Sequence, residues 1–172
     1  MNAEQFDIKI RAVEGGVTAA AGFKAAGIHA GFRKNPERLD YALVVPDKPC
    51  PGAGVFTTNR FCAAPVQVSR ANLGGADKGY GIIAGVSVNS GNANAATGET
   101  GLACARETCS IASQVIGCEP QQILVASTGV IGQILPIDTF ETAVPAAHEA
   151  LSAHGGADAA RAIMTTDTHS KE

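Results

Sequence analysis

The chain has 172 residues and a formal net charge of -3; 45% of its residues are apolar and 5% aromatic. That length and apolar content suit one globular domain with a real core and exclude a disordered chain. No basic patch marks a nucleic-acid partner, and no apolar run is long enough to span a bilayer.

The stretch Met1–Asp7 is polar and partly acidic. It has neither the basic start nor the apolar core of a secretory signal, so a cytoplasmic location is expected. Gly22–Phe32 is spaced by glycines and carries no acids or bases at catalytic spacing, which reads as structural. Strand signals follow at Tyr41–Val45, Gly54–Thr57, Val66–Ser69, Gly81–Asn89 and Ile123–Ser127. Several are almost continuous apolar runs, as in strands buried on both faces. Pro46, Pro49 and Pro51 mark a turn after the first, and Asn72–Asp77 marks another.

The clearest helix runs from about Glu99 to Ile116. Leu102, Ala105, Cys109, Ala112 and Ile116 recur at steps of three and four, lining up one apolar face. Thr97 or Thr100 can cap its start and Gly117 its end. A second helical region starts near Pro136, with an apolar stripe of Phe140, Val144, Ala147 and Leu151 that Pro145 is expected to kink or split. A short Ala-rich helix, Asp158–Ile163, leads into Met164–Thr168. This order of strands and helices predicts an α/β sandwich of layered sheets and helices. With no further element after Met164–Thr168 to close a core, the sequence reads as part of a longer protein.

The five cysteines, Cys50, Cys62, Cys104, Cys109 and Cys118, form no CxxC pair and read as buried free thiols, with Cys109 in the core. His29, His148, His154 and His169 show no metal-ligand spacing, so no zinc site is expected; His29 and His148 read as surface or cap residues.

Three segments could carry chemistry. Asn89–Ala95 follows a strand and precedes the best helix, and gathers three Asn, a Ser and a Gly. It reads either as a tight connection or as a polar wall of a pocket. Ser127–Gly132 ends a buried strand with small, hydroxylated residues. Thr128 offers a hydroxyl and Gly129 an uncovered N–H, two converging donors of the kind an acyl-transfer transition state needs for its oxyanion. A plain turn and a phosphate-binding turn compete, although neither GxxxxGK[ST] nor GxGxxG occurs. Met164–Thr168 packs three Thr and an Asp together; its hydroxyls suit a substrate carboxylate or ammonium, or else the segment is a strand edge. Phe56–Asn59 is a candidate strand end at the same pocket. No Ser-His-Asp or Cys-His set assembles, so an acyl-transfer nucleophile would have to come from elsewhere.

Five blocks in order, Gly22–Gly31, Gly54–Asn59, Asn89–Ala95, Ala126–Gly132 and Ala162–Thr168, resemble the ornithine acetyltransferase family, the bifunctional glutamate N-acetyltransferases of arginine biosynthesis. The resemblance implies an α-β-β-α sandwich whose precursor cuts itself into an α and a β chain. Residues 1–172 would be a single domain and most of the α chain. The nucleophile would be the N-terminal Thr of the β chain. Thr128 and Gly129 match the family's oxyanion-hole pair, and Thr165 matches a substrate-binding position. The implied reaction moves acetyl from N-acetylornithine to glutamate; acetyl-CoA is a second donor in some members, and no metal or bound cofactor is implied. The implied assembly is an α2β2 heterotetramer. Lys171 is not the family's substrate-binding lysine, and Ala96 and Ser170 stand where many members have Cys and Pro. A non-enzymatic binding domain and an N-terminal-nucleophile aminopeptidase remain as alternatives.

Overall fold

The computed structural model describes residues 12–75 and 77–171. The N-terminal stretch Met1–Asp7 lies outside them, as do Ala76 within the expected Asn72–Asp77 turn and Glu172. Among the described residues, six strands and four α-helices follow one another as β1 Phe23–Ile28, β2 Tyr41–Pro46, β3 Cys50–Ala53, α1 Ala64–Asn72, β4 Tyr80–Ile83, β5 Gly85–Asn92, α2 Gly98–Ile116, β6 Ile123–Val130, α3 Asp138–Glu149 and α4 Gly156–Ala162. The main sheet has the order β1-β2-β5-β6, with β3 and β4 forming a separate antiparallel pair. Among the described strands only β5 and β6 pair in parallel, joined through α2 as a parallel crossover requires. The mixed α/β class expected from the sequence is the class observed.

Side chains alternate across the sheet, and each face has its own cover. Ala26, Tyr41, Leu43 and Val125 face α1, α2 and α3 in the larger core. Phe140 closes on Tyr41 edge to face, with ring centres 5.7 Å apart, and Phe32 lies 4.8 Å from Phe140. The buried Tyr41 hydroxyl is paired with Ser87 Oγ at 2.9 Å. Ala25 and Ala42 face the other way, against Ala159 and Ala162 of α4. Here small residues permit near-backbone contact: a Cβ on Gly27 would fall 2.1 Å from the Asp158 carbonyl oxygen.

Helix α2 matches its expected span and ends on Gly117 in left-handed geometry at φ 80°. Helix α3 carries Phe140, Val144 and Ala147 of its expected stripe, Leu151 lying just past its end, and Pro145 does not split it. The hydrogen bond that Pro145 cannot give would go to the carbonyl of Glu141, an exposed residue. Three strand expectations change. Val66–Ser69 belongs to α1, begun by Pro65 in its first turn. Its buried positions Ala64, Pro65, Val68 and Ser69 have helical spacing, which a four-residue apolar alternation concealed. Ser69 Oγ donates to Val125 O at 2.7 Å and accepts from Val125 N at 2.9 Å, and Asn72 Nδ2 donates to Ile123 O at 2.7 Å. The helix thus satisfies the outer edge of β6, which a strand here would have to pair. Gly81–Asn89 is two strands broken at Ala84, and Gly54–Thr57 is loop, the strand being Cys50–Ala53 just before it. The strand β1 falls within the glycine-spaced run.

The five cysteines are free, and only Cys109 is buried rather than half-buried. Burial pushes its thiol pKa up to about 12, against a small opposing effect of Asn72. Native protein at pH 8 is therefore expected to leave Cys109 unalkylated while unfolded protein labels it fully, as read by peptide mass mapping. Labelling of Cys109 in the native state would show that this core opens. Among the described residues, no helix is long and apolar enough to cross a membrane, and no three metal-ligating side chains gather.

Candidate active site

Parallel pairing brings the C-terminal ends of β5 and β6 to one edge of the sheet, the usual ligand-binding edge of such sheets. Ser90 lies opposite Thr128 and Gly91 opposite Gly129, after which the ladder shifts at Asn92. The segment expected as a turn from Ser127 is thus strand as far as Val130, and the chain bends only at Ile131–Gln133.

The register holds because two glycines let three backbone segments touch. Gly129 has φ 134°, and a Cβ there would fall 2.3 Å from the Gly91 carbonyl carbon and 2.7 Å from Asn92 N. Gly91 has φ 110°, and a Cβ there would fall 2.9 Å from Phe32 O. No side chain fits at either crossing. Thr128 is half-buried and Gly129 exposed, so a substrate can reach both. By alternation along the paired strands, Thr128 shares its face of the sheet with Ser90 and Val88, the face that carries α4.

The asparagines of the 89–95 segment work on the backbone. Asn89 Nδ2 donates to Asn92 O at 2.9 Å and its Oδ1 accepts from Ser127 Oγ at 2.6 Å. Asn92 Nδ2 donates to Ile134 O at 3.1 Å, and Asn94 Nδ2 to Gly101 O at 2.9 Å. All three are buried. Of the two readings of this block, the tight connection describes these side chains: they hold the strand ends and the start of α2 in place.

Thr165 is half-buried in a segment without regular structure, not in a strand. It is joined to the β5 end through Ser90 of the Asn89–Ala95 block and through Arg33 and Arg38, which show no motif in the sequence. Ser90 Oγ donates to Ala162 O at 2.7 Å. Arg33 Nε donates to Ser90 Oγ at 3.2 Å, and Arg33 Nη2 to Met164 O at 2.6 Å. Arg38 Nη2 reaches Thr165 O at 3.5 Å. Under them lies Asp40, fully buried, whose carboxylate accepts from Ala30 N at 2.6 Å and Arg33 N at 2.7 Å. His29 Nδ1 stands 3.5 Å from that carboxylate and 2.9 Å from Arg38 O, which ties this histidine to the loop. Partial burial and then the positive charge of Arg38 lower the Arg33 pKa, and Asp40 opposes them.

Thr128, Gly129 and Thr165 thus belong to one hydrogen-bonded neighbourhood. The Gly54–Asn59 block does not join it. It borders a separate cavity of about 610 Å³ that none of those three residues lines; Arg70 Nη2 donates to Thr57 O at 2.6 Å, and the Arg70 guanidinium carbon lies 5.5 Å from the Phe56 ring centre. Asn59 folds this loop locally, its Oδ1 accepting from Phe61 N at 2.9 Å.

Residues 24–172 match the model of the ArgJ family. The chain is 47% identical over 160 residues to the arginine biosynthesis bifunctional protein ArgJ of Dehalococcoides mccartyi, covering 92% of this chain and 38% of that protein. It is 49% identical over 158 residues to the protein of that name from Bifidobacterium longum, covering 90% and 39%. It therefore spans well under half the length of these curated relatives. The crystal structure of ornithine acetyltransferase complexed with ornithine from Mycobacterium tuberculosis is similar with a TM-score of 0.82 at 38% identity, over 90% of this chain and 81% of that one. The Bacillus halodurans ArgJ structure gives 0.79 at 34% identity, over 90% and 78%.

Proposed function

The chain belongs to the ArgJ family, and from that premise we propose that it is most of the α chain of a cytoplasmic, self-cleaved acetyltransferase of arginine biosynthesis. Its partner is the β chain of the same precursor, two such pairs forming an α2β2 assembly. The substrates are N-acetylornithine and glutamate. The ornithine bound in the Mycobacterium tuberculosis relative supports an ornithine-like ligand.

The observation that carries this reading is the glycine crossing beside Thr128. It is a rigid strand end with a hydroxyl and a backbone N–H in adjacent residues, reachable from solvent and tied to the Thr165 segment. In the proposed reaction the β-chain Thr, its hydroxyl proton passing to its own α-amine, attacks the acetyl carbonyl. Thr128 and Gly129 donate to the oxyanion. Ornithine leaves with the proton, glutamate enters, and its amine takes the acetyl group from the Thr ester. An apolar groove of about 440 Å³, lined in part by Val86, Val88 and Ile163, borders the same face and offers the β chain a surface to cover.

Intact mass and N-terminal sequencing of the purified full-length product test the assembly. A second polypeptide beginning with Thr is expected. A single uncut polypeptide would favour a binding domain on this scaffold. Thr165→Ala is expected to raise KM for the amino-acid substrates about tenfold or more with little change in Tm, as loss of one hydrogen bond to a charged group does. Unchanged kinetics would remove Thr165 from the substrate site.

A further inference from the structure

We propose that Arg33 is a positioning residue that ties the Thr165 segment to the strand end opposite Thr128 and so sets substrate affinity; this rests on the acetyltransferase reading above. The side chain is a two-pronged tether. Nε holds Ser90 Oγ, whose residue faces Thr128 across the ladder, and Nη2 holds Met164 O, next to Thr165. Its stem crosses Gly91, where a Cβ would lie 3.1 Å from Arg33 Cγ.

The Arg33 backbone and the β5 end lead back to one buried residue. The Asp40 carboxylate fixes the Arg33 backbone at 2.7 Å, and the Asp40 carbonyl accepts from Ser90 N at 2.8 Å. Arg33 is thus fixed in the same frame as the β5 end. The segment it holds is less constrained, lying beyond the end of α4 with no regular structure; Met164 N donates to Arg161 O at 3.3 Å. Thr128 and Gly129 are held independently, by the β5–β6 pairing. Loss of Arg33 therefore frees the substrate-binding side of the site and leaves the oxyanion side in place. The planar fork matters, because a lysine ammonium reaches one of the two acceptors at a time.

The test uses the full-length enzyme, with steady-state kinetics and hydrogen exchange on wild type, Arg33→Met and Arg33→Lys. Arg33→Met is expected to raise KM for glutamate and N-acetylornithine about tenfold or more while kcat falls much less, with Arg33→Lys between it and wild type. Amides of Thr165–Thr168 are expected to exchange faster in Arg33→Met, with those of α2 and β6 unchanged. Unchanged KM, a fall in kcat alone, or unaltered exchange at Thr165–Thr168 would each overturn the proposal. Should Arg33→Met fail to fold, Arg33→Lys carries the same comparison. The exchange readout needs no assumption about the reaction: faster exchange in a protein whose wild type transfers no acetyl group would leave the tether standing and remove the acetyltransferase reading instead.

Discussion

Replacing Thr128 by valine is expected to lower turnover roughly 10²–10³-fold, the cost of one oxyanion donor in acyl transfer. Valine keeps the β-branched shape that suits a strand and removes only the hydroxyl. The residue is half-buried, and its backbone pairing with Ser90 and Asn92 does not involve the side chain. Tm should therefore stay close to wild type, so that the loss reads as chemistry and not as unfolding. The loss should fall on kcat and kcat/KM together, since the hydroxyl acts when the carbonyl oxygen becomes an anion. Unchanged turnover would withdraw the donor role from Thr128.

Gly129→Ala is expected to damage both stability and catalysis. The added methyl would sit 2.3 Å from the Gly91 carbonyl carbon, 2.6 Å from its oxygen and 2.7 Å from Asn92 N, all backbone atoms, so nothing nearby can yield without moving the strand end. The positive φ adds strain for any L side chain. Together these cost about 2–4 kcal/mol, or on the order of 10 °C in Tm. Activity should fall by roughly 10² or more, because the N–H that must meet the oxyanion moves with the strand. Gly132→Ala is the control. It has φ 80° but nothing within 4 Å of the added Cβ, so it should cost about 1 kcal/mol and leave the reaction largely intact. Thermal melts with steady-state kinetics on the two variants make the comparison; equal behaviour would show that the Gly91–Gly129 crossing is not what shapes the site.

Local pattern was legible where one element satisfied itself. Helix α2 shows its period over nineteen residues and its Gly stop, and β6 reads as an apolar run. Strand β1 escaped because Ala25, Ala26 and Gly27 at its centre are small residues suited to the close approach of α4 at Gly27 rather than to strand propensity. Helix α1 was misread because what fixes it is the edge of β6, which Ser69 and Asn72 cover from more than fifty positions away. The site divided in the same way. Thr128 and Gly129 stand out as a hydroxyl and a glycine at a strand end, and the family resemblance added Thr165. The Asn89–Asn94 cluster was visible, but its side chains proved to serve the backbone. Ser90 stood in that same cluster, while Arg33 and Asp40 carried no local signal. Arg33 meets Met164 across 131 positions and Ser90 across 57, a juxtaposition that only the fold creates.

The central claim is that this strand end serves acetyl transfer in concert with a β-chain Thr. Its most direct measurement incubates the full-length enzyme with N-acetylornithine and isotopically labelled glutamate and follows N-acetylglutamate and ornithine by mass spectrometry. Equimolar appearance of both products, with one acetyl group carried transiently on the chain that begins with Thr, is the predicted result. Release of free acetate and ornithine without acetylated glutamate would instead make the protein a hydrolase, and no turnover of either substrate would leave the strand end without the oxyanion assigned to it.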